Sequence, residues 1–233
     1  MESKSESVQQ QVPGSRQKWL FGLIFLFPAV VGVLASTYPW SGWLTLLHDP
    51  FKISQTVSPL HPLMGSLNIL GAAMFFCSSA VALFGATLVL DTSSRRFLIY
   101  AGLFSSLLAV DDMFGLHDRV FIEFSVMERF SKLFYVAGQI VYIVAFYKVL
   151  RKLNYFVLSG ALLLFAVSLA LDNPLIRTLQ DTTFGPPLTS GAHAAWEDMP
   201  KLAGTVLWLW FHMLAARKFV VESCPRTVPC PGQ

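Results

Sequence analysis

Two consecutive carboxylates, Asp111 and Asp112, close an apolar run that begins at Phe97 and carries no formal charge as far as Val110. His117 and Asp118 follow in the same segment, and a second acidic pair, Glu197-Asp198, opens the last apolar run. Acidic side chains cost about 2.5–3.5 kcal/mol each at the bilayer centre, so those that occur in spans face a bundle interior or cavity and mark a site. Neutral imidazole with one or two carboxylates is a zinc-type ligand set, and a metal with an open position activates water. On that chemistry Asp112, His117, Glu197 and Asp198 are the expected ligands of a divalent metal such as zinc, with Asp111 as acid/base. Asp118, Asp172 and His61 are the weaker candidates, because each closes or precedes a run at the same membrane level.

Helical spacing sets plainer readings beside these. Asp111 and Asp118 share one stripe. On a straight helix His117 lies about 120–140° from either Asp111 or Asp112. It joins them only if the helix loosens, and Gly115 is a permissive place for that. Asp112 and Arg119 share a stripe and form a candidate ion pair; Glu197 and Lys201, four apart, form another. Glu197-Asp198 also suits the N-terminal dipole of a last helix that holds Pro200 in its first turn or so. His193 sits in a Gly/Ser-rich stretch, and His212 follows the aromatic Trp208-Leu209-Trp210-Phe211, where an interfacial or packing role is expected.

The elements that must position these groups are membrane helices. Hydrophobic residues make up 54% of the chain and charged ones only 13%, with a mean hydropathy of +0.56. A soluble domain carries roughly 25% charged residues. Uncharged runs of about 20 residues are the length of a helical span. Six occur, at roughly 18–36, 67–90, 97–116, 132–150, 155–172 and 195–216. Because the runs are continuous rather than alternating, the expected fold is all-α, a six-helix transmembrane bundle rather than a barrel. Eleven cations flank the spans on the N-terminal side of the membrane against six on the other, which places both termini in the cytoplasm and the acidic pairs at the outer face. The division is a polar tail over 1–17, a membrane domain over 18–219 and a short tail over 220–233. Val33-Leu34-Ala35 has the small-residue look of a leader-cleavage site, against which stand the long leader and Pro28. The six tryptophans suit interface belts.

Several chemistries are absent from the sequence. The net charge of +3 comes from loops and gives no case for nucleic-acid binding. Cys77, Cys224 and Cys230 form neither a disulfide framework nor a zinc spacing, and Cys77 reads as a small packing residue. No Gly-x-Ser-x-Gly elbow, phosphate-cradling glycine loop or dinucleotide fingerprint occurs. In chemistry the polar set resembles the alkaline-ceramidase and adiponectin-receptor-like hydrolases. The Ser-x3-His and His-x3-His patterns of their seven-helix bundle do not occur, so no residue is carried over. The expected function is a metal-assisted hydrolase of the cell or plasma membrane acting on a lipid or lipid-linked group from the outer face, with membrane lipids as partners. The alternatives are a cation- or proton-coupled transporter subunit and a non-enzymatic assembly or scaffold protein.

Overall fold

The computed structural model of the chain describes residues 65–114, 125–171 and 190–224, together with Leu26 and Val30; along 125–132 and 190–197 it describes the backbone alone. Among the described residues all regular structure is helical and no strand occurs. The elements are α1 (Ser66–Leu88), α2 (Thr92–Phe114), α3 (Ser125–Ala145), α4 (Tyr147–Leu150), α5 (Tyr155–Leu171) and α6 (Ser190–Ser223). By length and composition α1 and α2 can each cross a membrane, with mean hydropathies of 2.0 and 1.5. Leu133–Ala145 and Tyr155–Leu171 are shorter apolar helices.

Local chemistry explains where the helices depart from the charge-free runs. Gly65, at φ 64°, supplies the left-handed turn that launches α1, a conformation open to a residue without a Cβ. Helix α2 begins five residues before Phe97. Asp91 caps it there: its Oδ2 accepts the Ser94 amide at 2.9 Å and the Ser94 hydroxyl at 2.7 Å, satisfying donors that the first turn leaves free. Those bonds hold the Asp91 carboxyl below its ordinary value. The fourth apolar run breaks at Phe146, whose φ of −110° and ψ of 16° separate α3 from the single turn α4. Helix α6 is 34 residues long, so Pro200 stands in its interior rather than in the first turn. The missing amide proton removes one ladder bond there. The helix runs on to Ser223, beyond the expected end of the membrane domain.

Helix α1 packs most extensively on α2, and α6 on α5 and α1. Small side chains permit close approach. A Cβ at Gly102 would lie 2.5 Å from Cγ of Leu83, and one at Gly138 2.5 Å from the Phe104 ring. An aromatic layer then fills the bundle. Phe97 stacks on Tyr142 at 5.3 Å between centroids and meets Phe146, Phe211 and Phe219 edge-on, both favoured ring geometries. Trp208 is wholly buried in this core, so it does not belong to an interface belt. Facing outward are Phe84, Leu103, Val144, Phe156 and Leu163, each at least 60% exposed. Apolar surface of this kind marks a side that contacts a membrane or another protein. Cys77 is exposed on it and is not a packing residue.

Candidate functional site

Asp112 is buried near the end of α2, and its Oδ1 accepts a hydrogen bond from the amino group of Lys201 on α6. Helical spacing pairs Asp112 instead with Arg119, which lies outside the described residues, and Lys201 with Glu197, whose side chain is also outside them. The cross-helix pair has a simple origin. Asp112 falls seven residues after Ser105, and both face inward, as the two-turn stripe of a helix requires. Lys201 is the one cation of α6 between Asp198 and Arg217. Its carbonyl also accepts the Thr205 hydroxyl at 2.9 Å.

Beside the pair lies a small, largely apolar cavity of about 20 Å³, to which Leu67, Met199 and Leu202 contribute apolar walls and Asn68 of α1, Asp112 of α2, and Asp198, Lys201 and Thr205 of α6 the polar groups. That is room for one water-sized occupant. The walls are set by small groups. Asn68 donates to the Asp112 carbonyl at 3.4 Å, and a methyl group at Gly71 would stand 3.6 Å from Asp112 Oδ2. Asp111, also buried, lies beside the Tyr135 hydroxyl of α3. The structure therefore brings Asp112 and Asp198 to one cavity and directs Asp111 toward α3. His61, His117, Asp118 and Asp172 lie outside the described residues, as does the Glu197 side chain. Among the described residues no group of three or more His, Cys, Asp or Glu side chains could hold a metal ion.

A second polar layer, unforeseen in the sequence, lies deeper along α6. Lys201, Thr205, Trp208 and His212 follow one another at steps of four, three and four, the spacing of one helical face. His212 is wholly buried rather than interfacial. Its Nδ1 lies 2.9 Å from the Trp208 carbonyl and 3.0 Å from the Ser78 hydroxyl, and its Nε2 lies 3.0 Å from the Tyr142 hydroxyl. A carbonyl only accepts, so the Trp208 contact is a hydrogen bond in the tautomer with the proton on Nδ1, in which Nε2 accepts from Tyr142. The Trp208 indole donates to Ser105 at 2.8 Å, and Ser105 lies 3.4 Å from Ser78. Ser79 and Ser106 form a parallel bond of 2.7 Å. Four helices are tied at this level without any charge. Close by in sequence, Gln139 carries the one buried side-chain oxygen without a hydrogen-bond partner among the described residues.

Among the described residues the chain is thus all-helical, with two helices able to cross a membrane, an ion pair beside a small cavity, and a neutral polar layer beneath it. Residues 23–215 match the family described as Domain of unknown function (DUF8692), and the chain belongs to that family. No curated protein and no solved structure matches it.

Proposed function

We propose that the protein is a six-span membrane protein with cytoplasmic termini and a cation- or proton-coupled site, Asp112–Lys201, open toward the outer face. The observation that carries this reading is the single lysine that neutralises Asp112 across two helices, beside a cavity of one-water size. A carboxylate at membrane depth requires a countercharge. Lys201 supplies it in the structure, and a small cation or a proton on Asp112 would satisfy the same requirement. Exchange between these partners frees Lys201 from α2, so occupancy is coupled to the packing of α6. Asn68, Asp198 and Thr205 add oxygen donors of the kind a hard cation takes.

The apolar exterior supports membrane embedding, and the unbroken course of α6 supports a full crossing. From Lys201 to Arg217 the helix rises about 24 Å at its regular rise per residue. That approaches the hydrocarbon core, which is roughly 30 Å thick. A zinc-type hydrolase at this level would require Asp112 to leave Lys201, and the described side chains supply no further ligand set. Any such set would draw on Glu197, His117, Asp118, Asp172 or His61. Coupling is therefore the better-supported reading.

Proteoliposomes carrying purified protein should show sodium-, potassium- or proton-driven flux that Asp112→Asn abolishes while the protein stays folded. Absence of flux from the unaltered protein under all three gradients would reject the reading. Reporter fusions at Ser93 and Leu153 should report cytoplasm and one at Val126 the outer side; the opposite pattern would invert the orientation.

A further inference from the structure

The end of the bundle remote from Asp112 carries a different kind of surface. Arg95 and Arg96 stand at the start of α2, Lys148, Arg151 and Lys152 in and after α4, and Arg217 and Lys218 near the end of α6, all exposed. Against these seven cations the same end holds two described carboxylates, Asp91 and Glu222, which leaves a net charge of +5. The segments are distant in sequence, yet the fold gathers them. The Lys218 amino group donates to the Lys152 carbonyl, and the Leu90 amide donates to the Ser223 hydroxyl at 3.3 Å. Phe97 of α2 touches both Phe146 and Phe219, so the three basic segments surround one aromatic plug.

Little of that charge is answered among the described residues. Among the described residues the one ion pair at this end is Lys218–Glu222, at 3.9 Å and exposed, and Asp91 is engaged by Ser94. Arg151 lies over the Tyr147 ring at 5.8 Å, which leaves its charge uncompensated. The aromatic residues flanking these cations face outward: Tyr147 is 56% exposed, Tyr155 52% and Phe156 72%. Rings at the level of a basic ring of side chains are the pairing found where a helix bundle meets lipid headgroups.

We propose that this basic end binds the headgroups of anionic phospholipids, phosphate oxygens taking the places of the carboxylates that the described residues lack there. The inference rests on the membrane reading of the preceding section and is independent of what occupies Asp112. Positive charge alone would favour one orientation of the chain. Three converging segments bordered by exposed rings make, in addition, a surface on which headgroups lodge between Arg95/Arg96, Arg151 and Arg217. Arginine is suited to this, because its planar fork meets phosphate oxygens in pairs.

The test uses the full chain in nanodiscs of phosphatidylcholine alone or with phosphatidylserine, read by thermal unfolding and by mass spectrometry of lipids retained after detergent exchange. Each cation close to an anionic surface contributes about a fivefold preference. The chain should therefore retain phosphatidylserine over phosphatidylcholine and unfold at a higher temperature with it, an effect weakened by salt. Replacing Arg95, Arg96, Arg151 and Arg217 by glutamine should lower retention more than about tenfold and leave unfolding in phosphatidylcholine unchanged. Equal retention of the two lipids, or equal retention by the variant, would overturn the proposal. So would an equal thermal rise from inorganic phosphate in pure phosphatidylcholine, which would mark free anion as the ligand. A chain that stays soluble and folded without detergent would instead reject the membrane reading itself.

Discussion

The Asp112–Lys201 layer and the His212 layer lie on the same face of α6, eleven residues apart, and they are built on opposite principles. The first holds full charges, a partly exposed lysine and a cavity. The second holds neutral groups only, is closed to solvent, and satisfies each of its side chains within the protein. Neutral hydrogen bonds that are complete give rigidity and a defined packing. A charged pair with space beside it can change partners. On the function proposed above, the bundle separates the layer that fixes its architecture from the layer that responds to an ion.

Breaking the deep layer should have the largest effect on folding. His212→Ala removes a wholly buried ring and takes away the partner of the Tyr142 hydroxyl. Thermal unfolding should then show a loss of roughly 3–5 kcal/mol. Asp112→Ala should cost less, roughly 1–3 kcal/mol, because Lys201 keeps 33% of its side chain exposed and can turn to solvent. Gln139→Leu sharpens the contrast from the other side. It deletes an oxygen that has no partner. Stability should therefore stay within about 1 kcal/mol of the parent or rise. A destabilisation as large as that of His212→Ala would show that Gln139 belongs to the network.

The smallest effect concerns the cap of α2. The Asp91 carboxyl is held below its ordinary value. Such a group contributes stability above the unfolded value, about 3.9, and loses it as pH falls through the folded one. Protection of the Ser93 and Ser94 amides, their exchange rate relative to that of an unfolded chain at the same pH, should therefore fall on acidification below about pH 4, and Asp91→Ala should show the lowered protection at all pH values. Neither change should alter protection near His212.

What the sequence displayed was periodic and local. Charge-free runs marked α1 and α5 to within two residues and α2 to within five, and acids in an apolar run marked Asp112 as a residue needing a partner. The partner itself was not legible. Lys201 lies four residues after Glu197, and an in-helix pair satisfies the spacing as well as the cross-helix one does. The choice between them depends on how α2 meets α6, a tertiary fact. His212 was hidden for the same reason: an isolated histidine beside aromatic residues has no motif, and its partners come from Ser78 and Tyr142 on two other helices. The stepping of Lys201, Thr205, Trp208 and His212 by four, three and four was the available signal. It could have placed all of them on one buried face.

The central claim, that the charged layer serves function and the neutral one architecture, is tested most directly by replacing both members of the ion pair. Asp112→Leu with Lys201→Met fills the same space without charge, and such exchanges are often neutral or stabilising. Measured together, unfolding and ion-driven flux in proteoliposomes should show a protein as stable as the parent to within about 1 kcal/mol and without flux. A double variant that transports like the parent would contradict the account, as would one that fails to fold while Gln139→Leu folds normally.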